Sequence, residues 1–298
     1  MCATSAEAVR LWSTSFSQTM TESDKLIYFD SASPGSVTFV GSTNAPENEY
    51  FEGLDFTRSG TLYGYTNVMT PTTSGYYTLS SGYLYSINTA TGVATKIGGG
   101  GFDSGPYGEF LVDMAYNPAN DTMYALQLWG YAQYRQAILY TIDLGTGLAS
   151  KVGIVSPENY MFASGLAADA SGKLYILDAL DGTVWSLQGL NATKLPNDTG
   201  FDALTGTGIT IDWSGDGTMY MGGLENWFDP TPLAKLWTVD LNTGIGTYTG
   251  LVGPTGLEIR GPEDLAIYPN TEVPEPTTML LPGSGLLGLW GARKKFKK

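Results

Sequence analysis

Residues Leu139–Gly153 read LYTIDLGTGLASKVG, and the chain rewrites this stretch four more times. Leu26–Gly41 reads LIYFDSASPGSVTFVG, Leu84–Gly98 LYSINTATGVATKIG and Leu236–Gly250 LWTVDLNTGIGTYTG, with a worn copy, VWSLQGLNATKL, at Val184–Leu195. Each is an apolar, aromatic strand, a polar turn and a second strand. Leu139, Tyr140 and Ile142 suit a strand buried on both faces. Asp143 is placed to bond its own backbone two residues on, and Gly147 supplies the left-handed residue that closes a four- or five-residue hairpin loop. Asn88 with Gly92 and Asp240 with Gly244 repeat the arrangement. Turn chemistry is therefore preferred to metal binding for these residues.

A second hairpin precedes the copies, as Leu54–Thr66, Met114–Leu126, Leu166–Asp178 and Ile209–Gly222. Two hairpins make one four-stranded antiparallel blade. The aromatic residues Tyr28, Tyr85, Tyr140, Trp185 and Trp237, read as one aligned position, lie 45 to 57 residues apart. Blade repeats fall near that spacing. Arg10–Phe16 followed by Leu26–Gly41 gives only three strands at the N-terminus, whereas Glu263–Tyr268 (EDLAIY) matches the first strand of the other units. The expected fold is an all-β propeller over residues 9–271, most simply five-bladed, closed by a C-terminal strand pairing with the N-terminal blade so that no edge is free. Six blades would require a degenerate unit inside a long loop. Tyr63, Tyr124, Tyr175 and Tyr220, on the second strands, are assigned to the core.

Composition narrows the function. With 39 Gly, 19 Tyr and 42% hydrophobic residues, the 298-residue chain is a turn-dense β protein with a real core. Its net charge of −14 is unevenly placed. Before residue 271 there are 10 basic and 27 acidic residues, a net −17 that makes nucleic acid an unsuitable partner. The chain has no His, and Cys2 is its one Cys. That excludes Ser-His-Asp and Cys-His nucleophiles, His-ligated zinc and structural disulfides.

At the N-terminus, Ala6-Glu7-Ala8 fits the A-x-A rule for signal-peptide cleavage, with no apolar segment before it. Residues 1–8 are read as the remnant of an export signal, leaving Val9 first after maturation. The C-terminal residues 272–298 hold three parts in order: Val273-Pro274-Glu275-Pro276, an apolar stretch Met279–Ala292, and a basic end from Arg293 to Lys298. The apolar part is short for a spanning helix, which needs about 20 residues, and suits a transient anchor with its basic end on the cytoplasmic side. This arrangement resembles the PEP-CTERM sorting signal of Gram-negative bacteria, although Pro282 inside the apolar stretch departs from a clean helix. The resemblance implies sorting by exosortase, a membrane protease-transpeptidase, with transient inner-membrane contact and release to the cell surface or exopolysaccharide matrix.

Candidate chemistry falls in three places. The long segments between second and third strands, and between blades, emerge on one face and carry Tyr76, Tyr77, Tyr107, Trp129, Tyr131, Tyr134, Trp227 and Phe228. Aromatic faces beside polar groups suit sugar rings, so these are the expected ligand-binding residues. Glu52, Asp55, Asp113, Glu263 and Asp264 lie on inner strands and would line a central channel. The string Asp212-Trp213-Ser214-Gly215-Asp216-Gly217 echoes the start of a calcium loop, but Gly223 stands where a bidentate Glu is required. A plain turn is preferred there, so no cofactor is assigned and calcium is kept as the alternative. The leading expectation is a non-enzymatic exported propeller that binds glycan or another partner on its long-loop face. The alternatives are a glycoside hydrolase or lyase using channel carboxylates, whose spacing would set the mechanism, and a purely structural matrix component.

Overall fold

The computed structural model describes residues 8–15, 24–71, 77–103, 110–129, 136–156, 162–179, 181–201, 207–224, 234–253 and 264–269. Within them the chain forms five four-stranded antiparallel sheets arranged as a five-bladed propeller. Blade two is β4 (Glu49–Phe56), β5 (Leu62–Pro71), β6 (Tyr77–Ile87) and β7 (Ala94–Gly98), from the axis outward. Blade three is β8 (Phe110–Asn117), β9 (Thr122–Trp129), β10 (Gln136–Ile142) and β11 (Ala149–Ile154). Blade four is β12 (Ala163–Ala168), β13 (Leu174–Asp178), β14 (Thr183–Gln188) and β15 (Asn191–Asp198). Blade five is β16 (Thr207–Ile211), β17 (Met219–Leu224), β18 (Ala234–Val239) and β19 (Gly246–Leu251).

Blade one draws on both ends of the chain. Its outer three strands are β1 (Arg10–Ser15), β2 (Lys25–Asp30) and β3 (Ser33–Ser42), and its inner strand is β20 (Ala266–Ile267). Leu11 pairs with Ile267 and Trp12 with Ala266, which closes the ring as the EDLAIY match predicts.

The inner three strands of a blade are apolar on both sides because each blade is packed between two others. Five buried clusters occupy the five interfaces. Trp12 and Leu26 meet Leu54 and Phe56, and Tyr65 and Leu84 meet Met114 and Tyr140. Leu126 and Leu139 meet Leu166 and Ile176; Leu177 and Val184 meet Ile209 and Met221. Finally Tyr220 and Leu236 meet Leu11 and Phe29, so the last blade packs on the first.

The hairpin turn of the repeated stretch is built as its sequence requires. Asp143 Oδ1 accepts from Gly145 N–H and Thr146 N–H, both at 2.9 Å, and Gly147 sits at φ 73°. Those bonds hold the Asp143 carboxyl below its ordinary range, the Thr146 hydroxyl contributing most. The glycine ending the stretch has a different task. A Cβ on Gly98 would lie 2.1 Å from the Thr146 carbonyl oxygen, and one on Gly41 2.2 Å from that of Thr91. The outer strand of each of these blades is thus pressed against the turn of the next. Backbone bonds lock the same rim: Ala94 N–H donates to Thr43, and Ala149 N–H to Gly100.

Two sequence assignments need correction. Tyr28 is not aligned with Tyr85, Tyr140 and Trp237, because it stands two residues before its turn Asp30, whereas they stand three before theirs. Fully buried Ile27 takes that place, and Tyr28, half-buried, turns to the opposite face beside Trp12 at 5.0 Å. Tyr175 and Tyr220 are core residues, whereas Tyr63 and Tyr124 are half-buried, each packed against the edge of a core cluster.

Candidate functional site

The inner strand of a blade is hydrogen-bonded on one side only, so N–H groups along its other edge need acceptors from elsewhere. Asp55 and Asp113 provide them. Asp55 Oδ1 accepts from Phe56 N–H and Oδ2 from Tyr116 N–H on the next blade, both at 2.7 Å. Asp113 repeats the bridge one blade on, accepting from Met114 N–H at 2.7 Å and Leu166 N–H at 2.8 Å. Asp264 bonds within its own sheet, taking Thr14 N–H at 2.9 Å and the Ser13 and Thr14 hydroxyls at 2.8 Å. That joins the two ends of the chain. β-Bulges at Phe51–Gly53 and Leu111–Asp113 bend the two inner strands beside these acids.

All three carboxyls are buried, with exposures of 7% or less. Burial pushes Asp55 up to about 7 and Asp264 up to about 6, against the hydrogen bonds that pull them down. Asp113 is raised well above its ordinary value, mainly by burial and further by the charges of Asp264 and Asp55. Of the five acids expected to line a channel, Asp113 thus feels the charges of Asp55 and Asp264. Glu52 is the extra residue of its bulge and is half-buried, and Glu263 lies outside the described residues.

Trp129 ends β9 opposite Gln136 and packs, half-buried, against the cluster of Tyr65, Tyr116 and Tyr140. Tyr77 opens β6 opposite Pro71. Tyr76, Tyr107, Tyr131, Tyr134, Trp227 and Phe228 lie outside the described residues. Phe102, from the same class of segment, is a core plug, its ring 4.7 Å from Tyr140 and 5.3 Å from Tyr65.

Asp212 makes a turn. It is buried, its carbonyl accepts from Gly217 N–H at 3.0 Å, and Asp216 Oδ1 accepts from Thr218 N–H at 2.9 Å. Among the described residues no three acids converge as metal ligands.

Three buried polar groups escaped the sequence reading. Asn67, on β5, clamps Leu111 of the next blade through both its amide atoms, at 2.8 and 2.9 Å. Gln127 takes the Tyr140 hydroxyl at 2.9 Å and donates to the Asp103 carbonyl. Glu49 accepts from the Tyr85 hydroxyl at 2.7 Å, the Thr66 hydroxyl at 3.1 Å and Lys96 Nζ at 3.2 Å. Glu49 opens β4, Asn67 stands four residues before the end of β5 and Gln127 two before the end of β9, each a polar residue in an otherwise apolar, aromatic run, which was their one signal.

The tail lies outside the described residues, and there the decisive finding is one of sequence. Residues 272–295 match the family model of the PEP-CTERM protein-sorting motif. The tail is a PEP-CTERM signal. Val273, Pro274, Glu275 and Pro276 fall inside the match. The signal marks an exported protein of Gram-negative bacteria, processed at the membrane by exosortase. No curated protein matches the chain. Among solved structures, a protein of unknown function from Dyadobacter fermentans is 10% identical over 78% of this chain and 72% of its own, with a TM-score of 0.50. At that identity the likeness concerns the fold alone. The GH43_1 enzyme from Xanthomonas citri complexed with xylose is 12% identical, covering 68% and 74%, with a TM-score of 0.47. A candidate 6-phosphogluconolactonase from Bacteroides fragilis is 11% identical, covering 84% and 83%, with a TM-score of 0.42.

Proposed function

We propose that this PEP-CTERM propeller is a non-enzymatic component of the cell surface or extracellular matrix that binds glycan, or another partner, on its long-loop face. The observation that supports this reading is the use made of the inner-strand acids. Asp55 and Asp113 each accept an N–H of their own strand on one oxygen and an N–H of the next blade on the other. A nucleophile or general acid has to present an oxygen to substrate, and these carboxyls are held in the wall. Variable segments rather than the repeated core then carry recognition, and Trp129, Trp227 and their neighbours supply flat apolar faces for it.

A second reading has one observation in its favour. Carboxyls raised to about 7 and about 6 exchange protons near neutrality, as an acid/base pair in a glycoside hydrolase must. A glycan array probed with the purified protein, with and without calcium, separates the two. Binding lost in Trp129→Ala or Trp227→Ala supports the loop face. Silence on the array, together with hydrolysis of aryl glycosides abolished by Asp55→Asn or Asp264→Asn, would replace it with the enzyme.

A further inference from the structure

The outermost strands of the five blades can be compared at one position, the residue paired with the one that stands three before the turn. Tyr85 faces Lys96, Tyr140 faces Lys151 and Trp185 faces Lys194. In the other two blades Ile27 faces Phe39 and Trp237 faces Tyr248. Lysine on an outermost strand keeps a sheet edge from pairing with another chain. Lys96, Lys151 and Lys194 are each held by an acid: Glu49 at 3.2 Å, Asp103, and Asp181 at 2.8 Å. Phe39 and Tyr248 depart from that pattern, with side chains 44% and 52% exposed. Tyr248 still has the Lys235 ammonium 5.9 Å from its ring.

Of these two edges, β3 is the more open. It is ten residues long against six for β19, and among the described residues no strand lies beyond it. Pro34 stands near its start, and after it residues 36–41 read SVTFVG, with neither Pro nor charge. The uncharged run extends over residues 31–46, in a body whose net charge is −17. Short β-branched and aromatic segments of low charge are the ones that pair edge to edge.

We infer that β3 is a homotypic contact, on which a second copy of this chain pairs β3 against β3, antiparallel, about a two-fold axis. The choice of partner follows from charge and geometry. Two bodies of net −17 repel one another, and least where neither brings a charge. A basic partner would be drawn to the acids elsewhere rather than to this run. An antiparallel two-fold sets the strand opposite its own copy, so one edge supplies both the N–H and the C=O groups that the other needs. A single strand pair falls short of the roughly 800 Å² per partner of a standard interface, so the dimer is a reversible one. Export to the membrane concentrates copies on one surface, where a weak contact suffices. This contact does not depend on what the long-loop face binds.

The test is sedimentation equilibrium of the full chain from about 1 μM to about 1 mM, at low and high sodium chloride. Wild type and variants carry the same C-terminal tail, so differences between them report on the strands. A monomer–dimer equilibrium is expected, tightening as salt screens the repulsion between the bodies. Phe39→Lys gives β3 the residue that blades two to four carry, and it should weaken the dimer about tenfold with the thermal midpoint unchanged. Thr38→Lys, also on an exposed side chain, should act in the same direction, and it carries the test if Phe39→Lys fails to fold. Tyr248→Lys should leave the dimer as it is. A chain that stays monomeric throughout would overturn the inference. So would a dimer indifferent to both β3 variants, one dissociated by Tyr248→Lys instead, or one that weakens as salt rises.

Discussion

Replacing Asp55 by Asn should remove one pH-dependent contribution to this protein's stability. Asp55 is a carboxyl whose pKa is lifted from 3.8 to about 7 on folding, by burial above all. Over that interval the native state keeps a proton that the unfolded chain has released. The sign follows: the contribution is fully present below about pH 3.8 and is lost as pH rises through about 7. One proton of difference is worth about 1.4 kcal/mol per pH unit, so the loss integrates to about 4 kcal/mol. Asn at this position cannot ionise, but its NH2 would face one of the two N–H donors now bound by the carboxyl. That leaves the variant about 1–3 kcal/mol less stable than wild type in acid. By about pH 8 wild type carries a buried charge and the variant does not, so the order should invert. Urea unfolding of both proteins, stepped from about pH 5 to about pH 8, reads the crossing directly. A difference in stability that stays constant across that range would refute the reasoning, because it would mean that Asp55 enters the fold already ionised.

Gly98→Ala should destabilise by about 1–3 kcal/mol or more, since its Cβ would meet the Thr146 carbonyl at 2.1 Å, whereas Gly35→Ala, whose nearest neighbour is the Leu251 carbonyl at 3.8 Å, should be nearly neutral; thermal unfolding of the pair checks this. Asn67→Ala should cost about 1–3 kcal/mol for each Leu111 backbone group that it leaves unpaired, read by chemical denaturation. Substituting Ala for Pro274, Glu275 and Pro276 should leave an unprocessed, membrane-retained precursor, visible on an immunoblot of fractionated cells as a larger band than wild type.

The architecture was legible because a blade must bury both faces against its neighbours, and five interfaces impose one pattern five times. Leu139, Tyr140 and Ile142 repeat in kind because the space between blades repeats, and Asp143 and Gly147 because the turn does. Where the pattern loosens, reading by sequence slips. Tyr28 looks like the copy of Tyr140, yet the turn at Asp30 fixes the register, and Ile27 is the true equivalent. The terminal glycine was visible in four copies, but its reason was not, since the turn that touches Gly98 is some 48 residues further on at Thr146. The channel acids were found by position but not by role. An acid on an inner strand is the same letter whether it faces substrate or caps a neighbouring strand, and only the partner N–H groups of Tyr116 and Leu166 decide between those uses. The role of Asn67 depends on a contact between blades, which no local pattern records.

Closure also fixes where the sorting signal is attached. The chain leaves the propeller after Ile267, at the end of the inner strand of blade one, beside Tyr268 and the short turns. In an up-and-down blade the second-to-third and blade-to-blade segments emerge at the other end of the strands. The chain therefore leaves the inner strand of blade one on the short-turn face, and the sorting signal follows it in sequence from residue 272. The segments that follow Trp129 and surround Trp227 differ in length and composition, while the repeated stretches stay nearly constant because the five interfaces repeat.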